Sequence, residues 1–103
     1  KIENVIMEKL YKMKEKHPII GDVRGKGCIF GIELVKDQHT KEPFEQAGKL
    51  VYQKAFRKGL AWVPAGHILR LSPPLIINEE IANKGTNIIE EAIYETEKEL
   101  GYL

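Results

Sequence analysis

Cysteine is nearly absent: Cys28 is the one thiol in 103 residues. No disulfide can form within the chain, and a reducing, cytoplasmic setting suits it. No apolar run approaches the length of a membrane span. The first twenty residues are rich in Lys and Glu, which excludes a secretory leader among them. Neither sign of charge dominates, since 16 Lys and Arg stand against 15 Asp and Glu for a net charge of +1. Acids and bases are interspersed, so the basic stripe that nucleic acid requires is missing. His17, His39 and His67 are widely separated and have no second ligand at metal-binding spacing, so no metal centre is expected. Gly25, Gly27 and Gly31 match neither a Walker loop nor a dinucleotide fingerprint, because a strand rather than a helix follows them. There is no nucleophile elbow, no evident acid–base carboxylate pair and no lysine in an apolar pocket. No catalytic residue is therefore expected within the chain. An initiator methionine is also lacking, and Lys1 opens directly into an amphipathic pattern with no capping residue before it. That start reads as a piece of a longer chain, with a processed N-terminus as the alternative.

What is present is ordinary globular material, 43% hydrophobic and 30% charged, sufficient for a single domain over residues 1–103. Ile2, Val5, Ile6, Leu10 and Met13 share one helical face, and His17-Pro18 ends that helix. Ile19 to Val23 reads as a strand, and Arg24-Gly25-Lys26-Gly27 as a glycine turn or bulge. Phe30, Ile32 and Leu34 then continue from Cys28 as the apolar face of a second strand, alternating with Ile29, Gly31, Glu33 and Val35. A polar loop over 36–43 leads to a helix whose inward face is Phe44, Ala47, Leu50, Val51 and Ala55. Gly59 is its left-handed terminator. Leu60 to Val63 and His67 to Leu71 are expected as further strands around a Pro64-Ala65-Gly66 turn, with Trp62 in core or interface. Asn78 should cap a last helix that opens with Glu79 and Glu80 and faces inward with Ile81, Ile88, Ile89, Ala92, Ile93 and Thr96. Gly85 within it implies close packing. The expected class is α+β, a small mostly antiparallel sheet with helices on one face.

Arg70 stands out. It lies in the run Ile68-Leu69-Arg70-Leu71, stopped by Ser72-Pro73-Pro74. A guanidinium in such apolar company needs a partner. Leu69 and Leu71 should face one way and Arg70 the other, presenting a planar donor fork suited to a carboxylate or phosphate. That partner is either an internal glutamate or an anion from outside. His67 lies close enough in sequence to border the same site. Cys28 reads as a small core residue.

Two stretches carry a resemblance. His17-Pro18-Ile19-Ile20-Gly21-Asp22-Val23-Arg24-Gly25-Lys26-Gly27 runs into Phe30-Gly31-Ile32-Glu33-Leu34-Val35 and Thr40-Lys41-Glu42-Pro43. Ile68 to Ile77 follows in the same order. Together they resemble the C-terminal small domain of class III pyridoxal-phosphate aminotransferases, of the ω-amino acid:pyruvate or 4-aminobutyrate type. The resemblance implies a homodimeric fold-type-I parent whose large domain, elsewhere in the same chain, carries pyridoxal 5'-phosphate. The fragment would bind no cofactor and be inactive alone. It also implies that Arg70 receives the carboxylate of an amino donor or keto acceptor, with pyruvate or 2-oxoglutarate as acceptor. Arg24 is taken as a residue that holds the hairpin. The alternative is a free-standing α+β interaction or carboxylate-binding module without catalysis.

Overall fold

The computed structural model describes residues 2–26, 29–60, 66–71 and 78–102, with the side chains of residues 2, 3 and 26 outside that description. The elements run in the order α1 (Ile2–Lys16), β1 (Ile20–Lys26), β2 (Ile29–Leu34), α2 (Glu45–Arg57), β3 (Ile68–Leu71) and α3 (Glu79–Glu99). The described strands form one antiparallel sheet in the order β1-β2-β3. Phe30, Ile32, Leu34, Leu69 and Leu71 are buried, whereas Arg24, Ile29 and Arg70 are exposed and Asp22 and Glu33 half-buried. One face of the sheet is therefore core and the other is open. α1 packs on β1, α2 on β2, and α3 lies against both other helices. This is the α+β architecture expected from the period-two and period-3.6 patterns.

The helices start and stop for local reasons. α1 buries Ile6, Leu10 and Met13, three residues on one stripe, and ends before Pro18. α2 closes with Gly59 at φ +96°, where the Gly59 amide donates to the Phe56 carbonyl and the Leu60 amide to that of Ala55. α3 closes in the same paired way through Gly101 at φ +83° and Tyr102. At its start the Asn78 side chain accepts from the Ile81 amide at 2.9 Å, as the sequence implied.

Several expectations need correction. Arg24-Gly25-Lys26 is regular strand, and the register shift lies at Ile20/Asp22, around Gly21. Gly21 is needed there because a Cβ would stand 2.5 Å from a Val35 methyl. Val35, expected on the outward face of β2, is fully buried because its bridge to Pro43 folds it over that point. The inner stripe of α3 is turned by about one residue: Ala82, Gly85 and Thr86 are buried with Ile89, Ala92, Ile93 and Thr96. Ile81 is 39% exposed and Ile88 sits at the stripe's edge. Small residues at 82, 85 and 86 carry no hydrophobic signal, so the pattern pointed to the isoleucines. Of the strand expected at 60–63, Leu60 instead closes α2, while 61–63 with Trp62 and most of the turn after it lie outside the described residues, as do Cys28 and Ser72-Pro73-Pro74.

One close approach fixes how β3 enters the sheet. A Cβ on Gly48 in α2 would stand 1.9 Å from the Gly66 carbonyl oxygen, just before His67 and β3. Gly48→Ala should therefore destabilise the fold by about 2 kcal/mol, although alanine is the better helix former by roughly 1 kcal/mol. A lowered urea midpoint at unchanged m-value is the expected observation, and a raised midpoint would refute the contact.

Candidate functional site

Cross-strand partners in an antiparallel sheet point to the same face. The register pairs Arg24 with Gly31 and Gly31 with Arg70, so these three form one row across the open face. The adjacent row pairs Asp22 with Glu33 and Glu33 with Ile68. Arg24 donates from Nε to Asp22 Oδ2 at 3.0 Å and from Nη2 to Glu33 Oε1 at 3.3 Å. Glu33 Oε2 also faces His67 Nε2 at 3.3 Å. Arg24 thus ties β1 to β2, as a hairpin-holding residue should.

Arg70 differs from Arg24. Leu69 and Leu71 are each 1% exposed, which clamps β3 against the core and turns Arg70 to the open face. The guanidinium is exposed rather than buried in the apolar run, because strand parity carries it away from both leucines. Among the described residues no carboxylate pairs with it and the internal salt bridge is not formed, and Arg70 is exposed on the open face. Among the described residues the open face therefore holds the ion-paired Arg24, an Arg70 with no ion pair and a half-buried histidine–glutamate contact. Such a surface can receive a carboxylate or another planar anion.

Glu33 is the member of this group that sequence reasoning missed, though its parity with Gly31 along β2 would have found it. A second polar cluster escaped entirely. His17 is 6% exposed and its two ring nitrogens lie between Glu97 Oε1, at 2.7 Å, and Glu90 Oε2, at 3.0 Å. Glu97 is completely buried and its other oxygen accepts from the Ile19 amide at 3.3 Å. Hydrogen bonding to Glu97 chiefly, then to Glu90, raises the His17 pKa above 6.5 against the opposing cost of burial. An imidazolium donating to both carboxylates accounts for the arrangement. This cluster is a clasp between the end of α1 and α3.

Lys54 pairs with Glu99 at 2.8 Å, and Lys41 donates to the Gly21 carbonyl. No described helix is long and apolar enough to cross a membrane.

A family model described as aminotransferase class-III matches residues 1–93. A leucine/methionine racemase of Thermococcus litoralis is 42% identical over 95% of this chain and 22% of its own length. A probable 4-aminobutyrate aminotransferase of Bacillus subtilis is 35% identical over 89% of this chain and 22% of its own. Among solved structures, the PMP-bound form of an aminotransferase from Vibrio fluvialis superposes with a TM-score of 0.83 at 28% identity, over 92% of this chain and 22% of that one. The chain thus spans about a fifth of the length of the curated relatives it matches.

Proposed function

Because this chain belongs to the class III aminotransferase family, we propose that it is the carboxylate-recognising small domain of an enzyme that moves an amino group between an amino acid or amine and a keto acid. One observation carries the reading: Arg70 is exposed on the open sheet face, held by two buried leucines, and has no ion pair among the described residues. A guanidinium so presented binds a carboxylate bidentately and fixes the substrate's orientation. Pyridoxal phosphate, when bound by the parent, supplies an electron sink at the reacting carbon. This chain's share is to bind and orient. Residues of a larger cofactor-binding domain, and of a second subunit, would complete the cleft. Pyruvate or 2-oxoglutarate is the proposed acceptor.

A second reading is favoured by the names of the relatives. The Thermococcus protein is a racemase, and so is the alanine/serine racemase of Pyrococcus horikoshii, 43% identical over 88% of this chain. An isoleucine 2-epimerase of Lentilactobacillus buchneri is 42% identical over 82% of it. Racemisation also needs the amino acid's carboxylate held while the Cα proton leaves and returns, so Arg70 keeps its role. The complete protein should be incubated with one L-amino acid, with and without a keto acid. New amino acid formed only when the keto acid is present supports transfer. Appearance of the D-enantiomer without any acceptor replaces it with racemisation.

A further inference from the structure

Gly31 occupies the middle of the central strand, where glycine weakens a sheet and where a side chain would ordinarily stand. Other glycines have reasons inside the chain. A Cβ at Gly21, Gly25 or Gly48 would come within 3.0 Å of a neighbouring atom, and Gly59, Gly66 and Gly101 have positive φ. Gly31 has neither reason: among the described residues nothing lies within 4 Å of the place its Cβ would take. Its cross-strand neighbours on the same face are the two arginines, Arg24 on one side and Arg70 on the other. Two strand spacings set their backbones about 10 Å apart. Arg24 is committed to Asp22 and Glu33, so it forms a fixed wall, while among the described residues the Arg70 fork has no ion pair.

A gap one side chain wide, floored by backbone and bordered by a guanidinium with no ion pair among the described residues, fits a flat group lying against the sheet. We propose that Gly31 is a specificity-determining residue whose missing side chain makes the slot in which a ligand carboxylate reaches Arg70. The proposal rests on the reading of Arg70 as a carboxylate receptor and adds to it the shape of the site. Any residue with a Cβ at position 31 would project into the space beside the Arg70 fork. A β-branched one would fill it.

The test uses the complete protein and the carboxylate-bearing amino or keto acid that it turns over, with Gly31→Ala, Gly31→Val and Arg70→Ala prepared in parallel. KM should rise about tenfold in Gly31→Val and by a smaller factor in Gly31→Ala, the scale on which an intruding methyl acts at a binding site. kcat should stay within about twofold. The thermal midpoint should hold or increase, because both residues suit a strand better than glycine. An unchanged KM in Gly31→Val beside a raised KM in Arg70→Ala would overturn the slot and leave the receptor reading standing. An unchanged KM in Arg70→Ala would remove the receptor reading itself. If Gly31→Val does not fold, the smaller KM rise in a stable Gly31→Ala decides, and a KM rise accompanied by a falling midpoint in that variant would make Gly31 structural and overturn the slot.

Discussion

Arg70→Ala in the complete protein should lower kcat/KM for the carboxylate-bearing substrate by roughly 100-fold. A charge-assisted hydrogen bond contributes about 1.5–3 kcal/mol, and a bidentate pair makes two. Some of that is offset by water that solvates the vacated site, so about 3 kcal/mol is the expected net loss, at 1.4 kcal/mol per factor of ten. Arg70→Lys should recover only part, since an ammonium keeps the charge but not the planar fork. Turnover of an amine that lacks a carboxylate should change little. Stability should also change little, within about 0.5 kcal/mol, because Arg70 is exposed and makes no described ion pair. The pattern that would sink the assignment is the reverse one, a lower thermal midpoint with kinetics intact.

Removing Glu97 should cause the largest loss of stability. Glu97→Ala takes away the main partner of a buried histidine and the acceptor of the Ile19 amide. Breaking a buried pair on one side costs about 3–5 kcal/mol, a large share of the 5–15 kcal/mol that usually holds a domain. Hydrogen exchange at the Ile19 amide should accelerate together with the fall in the melting temperature. The double change Glu97→Leu with His17→Phe should recover part of the loss, because neither half of the fully buried pair is then left without its partner. Equal destabilisation in the double variant would mean that the cluster acts through packing alone.

The same cluster sets a pH dependence whose sign is determined. The His17 pKa is raised in the folded state, principally by Glu97. Its contribution to stability is therefore fully present below the unfolded value near 6.5 and is lost as pH rises through the higher folded value. Above that value a neutral ring can donate to only one of the two carboxylates. Stability followed from pH 6 upward should decline over this window, and His17→Phe should flatten that part of the profile. A decline that survives in His17→Phe would assign the titration to another group.

What could be read from the amino acids alone was periodic. Ile6, Leu10 and Met13 mark α1, Phe30, Ile32 and Leu34 mark the inner side of β2, and Asn78 and Gly59 mark helix ends. Each of these signals lies within a few residues of the structure it specifies, because hydrogen-bond geometry repeats every 2 or 3.6 residues. The same parity set Arg70 opposite to Leu69 and Leu71. It misplaced Ile81, since the stripe of α3 runs through Ala82, Gly85 and Thr86, residues too small or too polar to register as core. Glycine punctuation likewise put the irregularity of β1 at Gly25, whereas it lies at Gly21, a position that depends on Val35 arriving from the far side of a loop.

Tertiary structure alone decided two things. It joined His17 to Glu97 across 80 positions of sequence, and it aligned Arg24, Gly31 and Arg70 in one row. Neither arrangement has a local signature. A lone histidine before proline and a glutamate near a helix end read as surface residues until packing brings them together. Strand register selects which side chains become neighbours, and one residue of slip would have put the row on the other face. Chain-local chemistry therefore sufficed for the elements and for the orientation of Arg70, whereas the pairings that make a clasp and a slot exist only once the sheet is assembled.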